Sequence, residues 1–124
     1  MSRGRSGFER TIMEGLDTLG VVYEYETERI KFTQPQRARY YVPDIIFTTS
    51  ANQKMYIELK GKLDRDAQQK MRWVKEQNPT LDIRLVFMRD NKMTKSTKKK
   101  YTDWAEQHGF PCAVGSIPKE WLEE

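Results

Sequence analysis

Met55-Tyr56-Ile57-Glu58-Leu59-Lys60 reads as a β-strand by composition, yet it carries two charges in its second half. Residues two apart on a strand share a face, so Glu58 and Lys60 project together while Ile57 and Leu59 face the opposite side. Upstream, Tyr40 to Phe47 reads as a strand with Pro43 inside it, and Thr48-Thr49-Ser50-Ala51-Asn52-Gln53 is turn material. Tyr40–Lys60 is therefore predicted to be a hairpin. With its turn near residues 49–53, Asp44 lies opposite Glu58. Two carboxylates and one ammonium then converge at the mouth of a sheet.

The flanking sequence supplies the rest of the fold. Asp64 is placed to cap a helix bearing Ala67, Met71 and Val74, halted at Asn78-Pro79. Ile83 to Met88 is a near-continuous apolar run, typical of a strand buried on both faces. Strand, helix and buried strand predict a right-handed crossover with a parallel pair. Toward the N-terminus, Ser6-Gly7-Phe8-Glu9 fits a capping box, Phe8, Ile12, Leu16 and Leu19 recur at helical spacing, and Gly20 follows as a stop. Val21 to Glu28 alternates like a strand. Its apolar phase then flips at Ile30 and Phe32, which implies a bulge or passage into another environment near Thr27–Arg29. Tyr101, Trp104, Ala105 and His108 mark a third helix stopped by Gly109. Ser116, with Pro118 in a first helical turn, opens a short terminal helix containing Trp121 and Leu122. The class is α/β: a central mixed β-sheet flanked by helices, in one domain spanning 1–124.

Composition bounds the chemistry. The chain has 124 residues, 37% of them apolar and 32% charged, with a mean hydropathy of −0.85. A domain of this size buries only about two-thirds of the surface its unfolded chain exposes, so part of the apolar set is expected to be covered in an oligomer. A single cysteine, Cys112, excludes an internal disulfide framework and a Cys-based zinc site. A single histidine, His108, excludes paired-His metal sites and argues against a Ser–His–Asp arrangement; it reads as a helix C-terminal cation or a surface side chain. The absence of a run of about 18 apolar residues or an apolar signal core predicts a cytoplasmic chain with no membrane partner. Any catalysis falls to carboxylates, lysine, arginine and a hard metal ion.

The net charge of +4 conceals segregation. Ile12 to Glu28 holds five acids and no bases, and Arg29 to Arg39 holds four bases and no acids. Lys60–Lys75 and Arg89–Lys100 carry six bases each, against two acids and one acid respectively. One such stretch is ordinarily solvated surface. Three in so small a chain point to a surface that tracks phosphates.

Asp44, Glu58 and Lys60 suit phosphodiester hydrolysis. Two carboxylates offer hard oxygen ligands to Mg²⁺, and a lysine can hold the attacking water or neutralise developing charge. A lone D…ExK pattern in a charged chain also arises as plain strand polarity. Glu9 has two readings as well, as the capping-box acid of the first helix or as a further carboxylate delivered to the metal.

Several motifs in order bring more specificity. Arg5-Ser6-Gly7-Phe8-Glu9, Val42-Pro43-Asp44, Ile57-Glu58-Leu59-Lys60-Gly61, Glu76-Gln77-Asn78-Pro79, Leu81-Asp82-Ile83-Arg84-Leu85-Val86-Phe87 and Pro118-Lys119-Glu120-Trp121 together resemble the phage endonuclease I family. These are Holliday-junction resolvases of the PD-(D/E)xK nuclease superfamily, with a restriction-endonuclease-like core. The resemblance implies that Asp44 and Glu58 are metal ligands, joined by the Leu59 carbonyl and Glu9, with Lys60 as the catalytic lysine. It implies Mg²⁺, with Mn²⁺ able to substitute, and cleavage of four-way and other branched DNA to 5′-phosphate and 3′-hydroxyl ends in the cytoplasm of a host bacterium. It further implies a domain-swapped homodimer in which residues about 28–40 bridge the subunits. Each site would then combine Glu9 of one chain with Asp44, Glu58 and Lys60 of the other. Arg5, Arg37, Arg39, Lys62, Arg65, Lys92, Lys95 and Lys98 would hold phosphates. Two other readings use the same surface: a non-catalytic branched-DNA binding protein, and a mismatch or duplex nickase on the same core.

Overall fold

A computed structural model describes residues 6–34 and 37–124. Helix α1 runs Gly7–Thr18. Ser6 Oγ accepts from Glu9 N at 3.1 Å, and Gly20, at φ 69°, turns the chain out of the helix where a side chain would be strained. Strand β1 is Glu24–Tyr25, β2 is Ile30–Gln34, β3 is Arg37–Tyr41, β4 is Ile45–Thr48 and β5 is Lys54–Lys60. Helix α2 (Arg65–Gln77), capped by Asp64 accepting from Ala67 N at 2.9 Å, leads into β6 (Asp82–Phe87). Helix α3 (Tyr101–Gln107), β7 (Cys112–Val114) and α4 (Lys119–Leu122) complete the chain.

Five strands form one sheet in the order β1-β4-β5-β6-β7. β4 and β5 are the antiparallel hairpin, turning at 49–53 with Thr49 N donating to Gln53 O at 2.8 Å. β5, β6 and β7 are parallel, as the crossover through α2 requires. One core layer, of Ile12, Met13, Leu16, Ile45, Ile57, Leu59 and Val86, packs under α1 and α4. The other, of Met71, Val74, Ile83, Leu85, Phe87, Tyr101 and Trp104, packs under α2 and α3. Alternation along β5 is as expected, with Ile57 and Leu59 in the first layer and Tyr56 in the second.

Three expectations need correction, and one strand was not foreseen. The alternating stretch Val21–Glu28 pairs only at Glu24 and Tyr25, because Glu26 adopts φ 51° and leaves the ladder. Tyr40–Phe47 is not one strand. Pro43 lacks an N–H and cannot join a ladder, so β3 and β4 separate there, and β3 pairs with β2 in its own two-stranded sheet. β7 was not foreseen, being three residues long. His108 caps α3 with its ring 4.5 Å from that of Trp104, and burial together with Arg72 and Lys99 lowers its pKa, so it is neutral rather than cationic at pH 7.

The phase flip at Ile30 does mark a change of environment. Val21, Tyr23 and Tyr25 pack on the α1 layer, whereas Ile30 and Phe32 enter the α2 layer. Residues 30–34 and 37–41 pair with each other from Ile30↔Tyr41 to Gln34↔Arg37. This ribbon lies against α2 of the same chain, with Asn78 Nδ2 donating to Lys31 O at 3.3 Å. Among the described residues, no helix is long and apolar enough to cross a membrane.

Candidate active site

Register places the predicted residues together. β4 and β5 pair at Ile45↔Ile57, so Asp44 stands one step beyond the last rung, facing Glu58. Asp44 then extends the ladder with its side chain: Leu59 N donates to Asp44 Oδ2 at 2.8 Å. Leu59, expected to offer a carbonyl, thus also fixes a carboxylate through its amide. Glu26 N donates to the Asp44 main-chain carbonyl at 3.1 Å, which draws the loop after β1 onto the same spot.

Glu58 is buried, at 9% exposure, in the middle of a sheet. A carboxylate there must be paired or hydrogen-bonded. Its Oε1 accepts from Tyr41 Oη at 3.0 Å, and its Oε2 lies 3.2 Å from Lys60 Nζ. Lys60 therefore shares Glu58's face, as strand periodicity predicts.

Glu9 arrives from α1. Its backbone N–H is held by Ser6, while its carboxylate accepts from Tyr25 Oη at 3.3 Å. The two readings of Glu9 divide between its main chain, which serves the helix cap, and its side chain, which reaches the site. Carboxylate oxygens of Glu9, Glu26 and Asp44 lie within 4.8 Å of one another. Crowding has an electrostatic consequence. Burial first, then the Glu58 charge and Glu9, push the Asp44 pKa up to about 8, against the opposing pull of the Leu59 amide. Without a cation nearby, these effects favour the protonated form of Asp44. Tyr25, half-buried and hydrogen-bonded to Glu26, is held above its usual range and stays a donor.

Four residues at the site were missed in sequence: Glu26, Tyr25, Tyr41 and Lys70. Tyr25 and Glu26 lie in a stretch that reads as a strand, whereas Glu26's positive φ swings it toward Glu9 and Asp44. Lys70, on α2, is half-buried with its Nζ 5.6 Å from the Tyr41 ring centroid. Burial lowers its pKa, Lys60 and Arg39 lower it further, and Glu58 and Asp44 oppose that. The i, i+4 spacing of Lys70 and Val74 on a helix that must cover this sheet was the available signal.

The expected phosphate contacts distribute around one edge. Lys62 and Arg65 are exposed in the connection from β5 and the first turn of α2. Lys92, Lys95 and Lys98 are exposed on the segment that follows β6. β5 and β6 are parallel, so both connections leave from the end of the sheet that bears Lys60, with Met88 N donating to Lys60 O at 2.9 Å. The segment is built: Lys92 and Lys100 form a bridge, and Met93 N donates to Lys99 O at 2.7 Å. Asp90, its one acid, accepts from Thr102 N at 3.1 Å and Thr102 Oγ1 at 2.9 Å, leaving the outer face to lysines. Arg39 is exposed on β3, its guanidinium 5.6 Å from the Phe32 ring centroid. Arg5 lies outside the described residues, as does the side chain of Arg37.

A family model described as phage endonuclease I matches residues 2–124. Endonuclease I of Escherichia phage T7 is 32% identical over 121 residues, which cover 97% of this chain and 78% of that protein. Endodeoxyribonuclease 1 of Enterobacteria phage T3 is 35% identical over 121 residues, covering 97% of this chain and 77% of that protein.

Proposed function

The chain belongs to the phage endonuclease I family, and on that premise we propose that it is a Mg²⁺-dependent DNA endonuclease that cuts four-way junctions as a homodimer. The observation that carries the reading is the facing of Asp44 and Glu58 across β4 and β5, with Lys60 beside Glu58 and Glu9 brought in from α1.

The donor set fits a hard divalent cation. It consists of carboxylate oxygens without sulfur or imidazole, and the burial and mutual repulsion that raise the Asp44 pKa are what a cation offsets. Asp44 and Glu58 would hold it, with Glu9 and the Leu59 carbonyl as further donors; Mn²⁺ would substitute. Such an ion acidifies water and offsets negative charge on a phosphate. The chain's own residues supply the rest. Lys60 orients the attacking water or neutralises charge developing on the phosphate oxygens. Tyr25 holds the Glu9 carboxylate in place by its hydroxyl. Water attacks phosphorus in line and the 3′ oxygen leaves, giving 5′-phosphate and 3′-hydroxyl ends. The lysines at the sheet edge contact phosphates and read branch shape rather than base sequence.

The β2–β3 ribbon supports the dimer. Its pairs are symmetric about the point between residues 35 and 36, so a chain opened there can repeat every pair with a second copy. Glu9 would then meet Asp44, Glu58 and Lys60 of the other chain with the geometry found here within one chain.

A gel assay of four-way junction against linear duplex, with Mg²⁺ or EDTA, tests the reading. Preferential, metal-dependent cutting of the junction is expected, with Glu58→Gln lowering cleavage about 10³-fold or more while junction binding persists. Binding without cutting in the wild type would favour a branched-DNA binding protein, and equal cutting of linear duplex a nickase. Mixed Glu9→Ala and Lys60→Ala subunits should regain one competent site per heterodimer; no regain would place Glu9 and Lys60 of one chain in one site.

A further inference from the structure

Glu58 can serve as a ligand only if its carboxylate keeps one orientation, and the residue that fixes it is not among the acids and lysine discussed above. Resting on the metal site proposed above, we propose that Tyr41 is a positioning residue for that site. Its hydroxyl would orient the Glu58 carboxylate for the cation.

Three observations support this. Tyr41 is 1% exposed, and its Oη donates to Glu58 Oε1 at 3.0 Å. A hydroxyl buried so deeply finds no water to exchange with, and a hydrogen bond to an ionised acceptor is stronger than one between neutral groups. The bond falls on the oxygen that Lys60 does not take: Lys60 Nζ lies 3.2 Å from Oε2. Both oxygens are thus held, each by a different partner, which restricts the rotation of the carboxylate. Finally, Tyr41 is itself held. It ends β3 opposite Ile30, its ring lies in the core layer under α2, and Lys70 Nζ stands 5.6 Å from the ring centroid.

Local sequence explains the placement. Tyr41 and Asp44 stand on either side of Val42-Pro43, where the chain passes from the ribbon to the main sheet. One short segment therefore delivers both the carboxylate that shares the site with Glu58 and the hydroxyl that aims Glu58. Outer hydrogen-bond partners of metal ligands typically govern metal affinity by about 10- to 100-fold.

Tyr56 provides a matched control. It is 7% exposed in the same core layer, and its hydroxyl donates to another carboxylate, Glu28 Oε1, at 3.2 Å. The test is calorimetric titration of the intact protein with Mn²⁺ alone, without DNA, for wild type, Tyr41→Phe and Tyr56→Phe, with thermal melts of all three. Tyr41→Phe is expected to weaken Mn²⁺ binding about tenfold, while Tyr56→Phe stays within about twofold of wild type, both variants melting cooperatively. Wild-type affinity in Tyr41→Phe overturns the inference and leaves the metal site standing. Equal weakening in both variants also overturns it, since the loss would then come from a looser core. No saturable Mn²⁺ binding in the wild type overturns the metal reading and this inference together.

Discussion

Two charge clusters sit toward opposite ends of the central strands, and they are built on opposite plans. At one end Arg84 lies between two acids. Its Nε and Nη2 donate to Asp82 at 2.9 and 2.8 Å, and its Nη1 and Nη2 donate to Glu124 at 2.7 and 2.9 Å. The guanidinium also lies 5.1 Å from the Trp121 ring centroid. Four of the five guanidinium N–H donors are used, the Glu124 pKa is lowered and the Arg84 pKa raised, each chiefly by those hydrogen bonds. At the other end Glu9, Glu26 and Asp44 crowd together, Glu58 pairs with Lys60 beside them, and burial together with repulsion raises the Asp44 pKa. The first cluster pairs its charges with one another and fastens Glu124 to the sheet. The second concentrates like charge and shifts a pKa, the pattern that functional sites favour.

The largest way to break this contrast is Asp44→Asn. The amide is isosteric, can still accept from Leu59 N, and removes the crowded acid. Cleavage should fall about 10³-fold or more, whereas the unfolding midpoint in EDTA at pH 8 should rise by a few degrees, about what 1 kcal/mol confers on a domain of this size. A drop in midpoint would show that the acid is not under strain. Arg84→Met should do the reverse. It leaves Asp82 and Glu124 without their cation and should lower the denaturant midpoint, with cleavage per folded molecule unchanged. Denaturant titration paired with active-site titration separates the two.

The pH dependence sharpens the contrast through its sign. Asp44's folded pKa, about 8, lies above its ordinary 3.8, so the native chain keeps a proton that the unfolded chain has released. Stability of the metal-free protein should therefore decline as pH rises from about 4 to 8, and Asp44→Asn should flatten that decline. Glu124's folded pKa lies below its ordinary 4.5, so its contribution is present above that value and is lost as pH falls through the folded pKa. Glu124→Gln should flatten only that acid limb. Thermal melts in EDTA across this range test both; a single common limb would contradict the distinction. The smallest expected effect is at Lys70. If it meets a backbone phosphate near Glu58, Lys70→Gln should reduce the salt slope of junction binding by about 1, measured in Ca²⁺ to suppress cutting.

Helices α1 and α2, the β4–β5 hairpin and the β5–β6 crossover were legible because each carries a local signal: a cap, a spacing, a turn or an apolar run. So was the facing of Asp44 and Glu58, which follows from strand periodicity and a turn near 49–53. The break between β3 and β4 was half-visible. Pro43 announced it, yet hydropathy ran on across it. β7 has three residues and takes its place from pairing with β6, which no local pattern reports. Glu26, Tyr41 and Lys70 converge on the site from a left-handed turn, a separate ribbon and a helix, so their roles exist only in three dimensions.

The bond that fixes Asp44 comes from the main chain at residue 59 and belongs to no side chain. Genetic drift at that position is thereby uncoupled from the chemistry. Any residue that keeps an N–H and fills the pocket Leu59 occupies preserves the anchor, and among the twenty amino acids only proline deletes it. A selection for loss of cutting should accordingly recover changes at residues 44, 58 and 60 readily. At residue 59 it should recover proline, or substitutions that wreck the core.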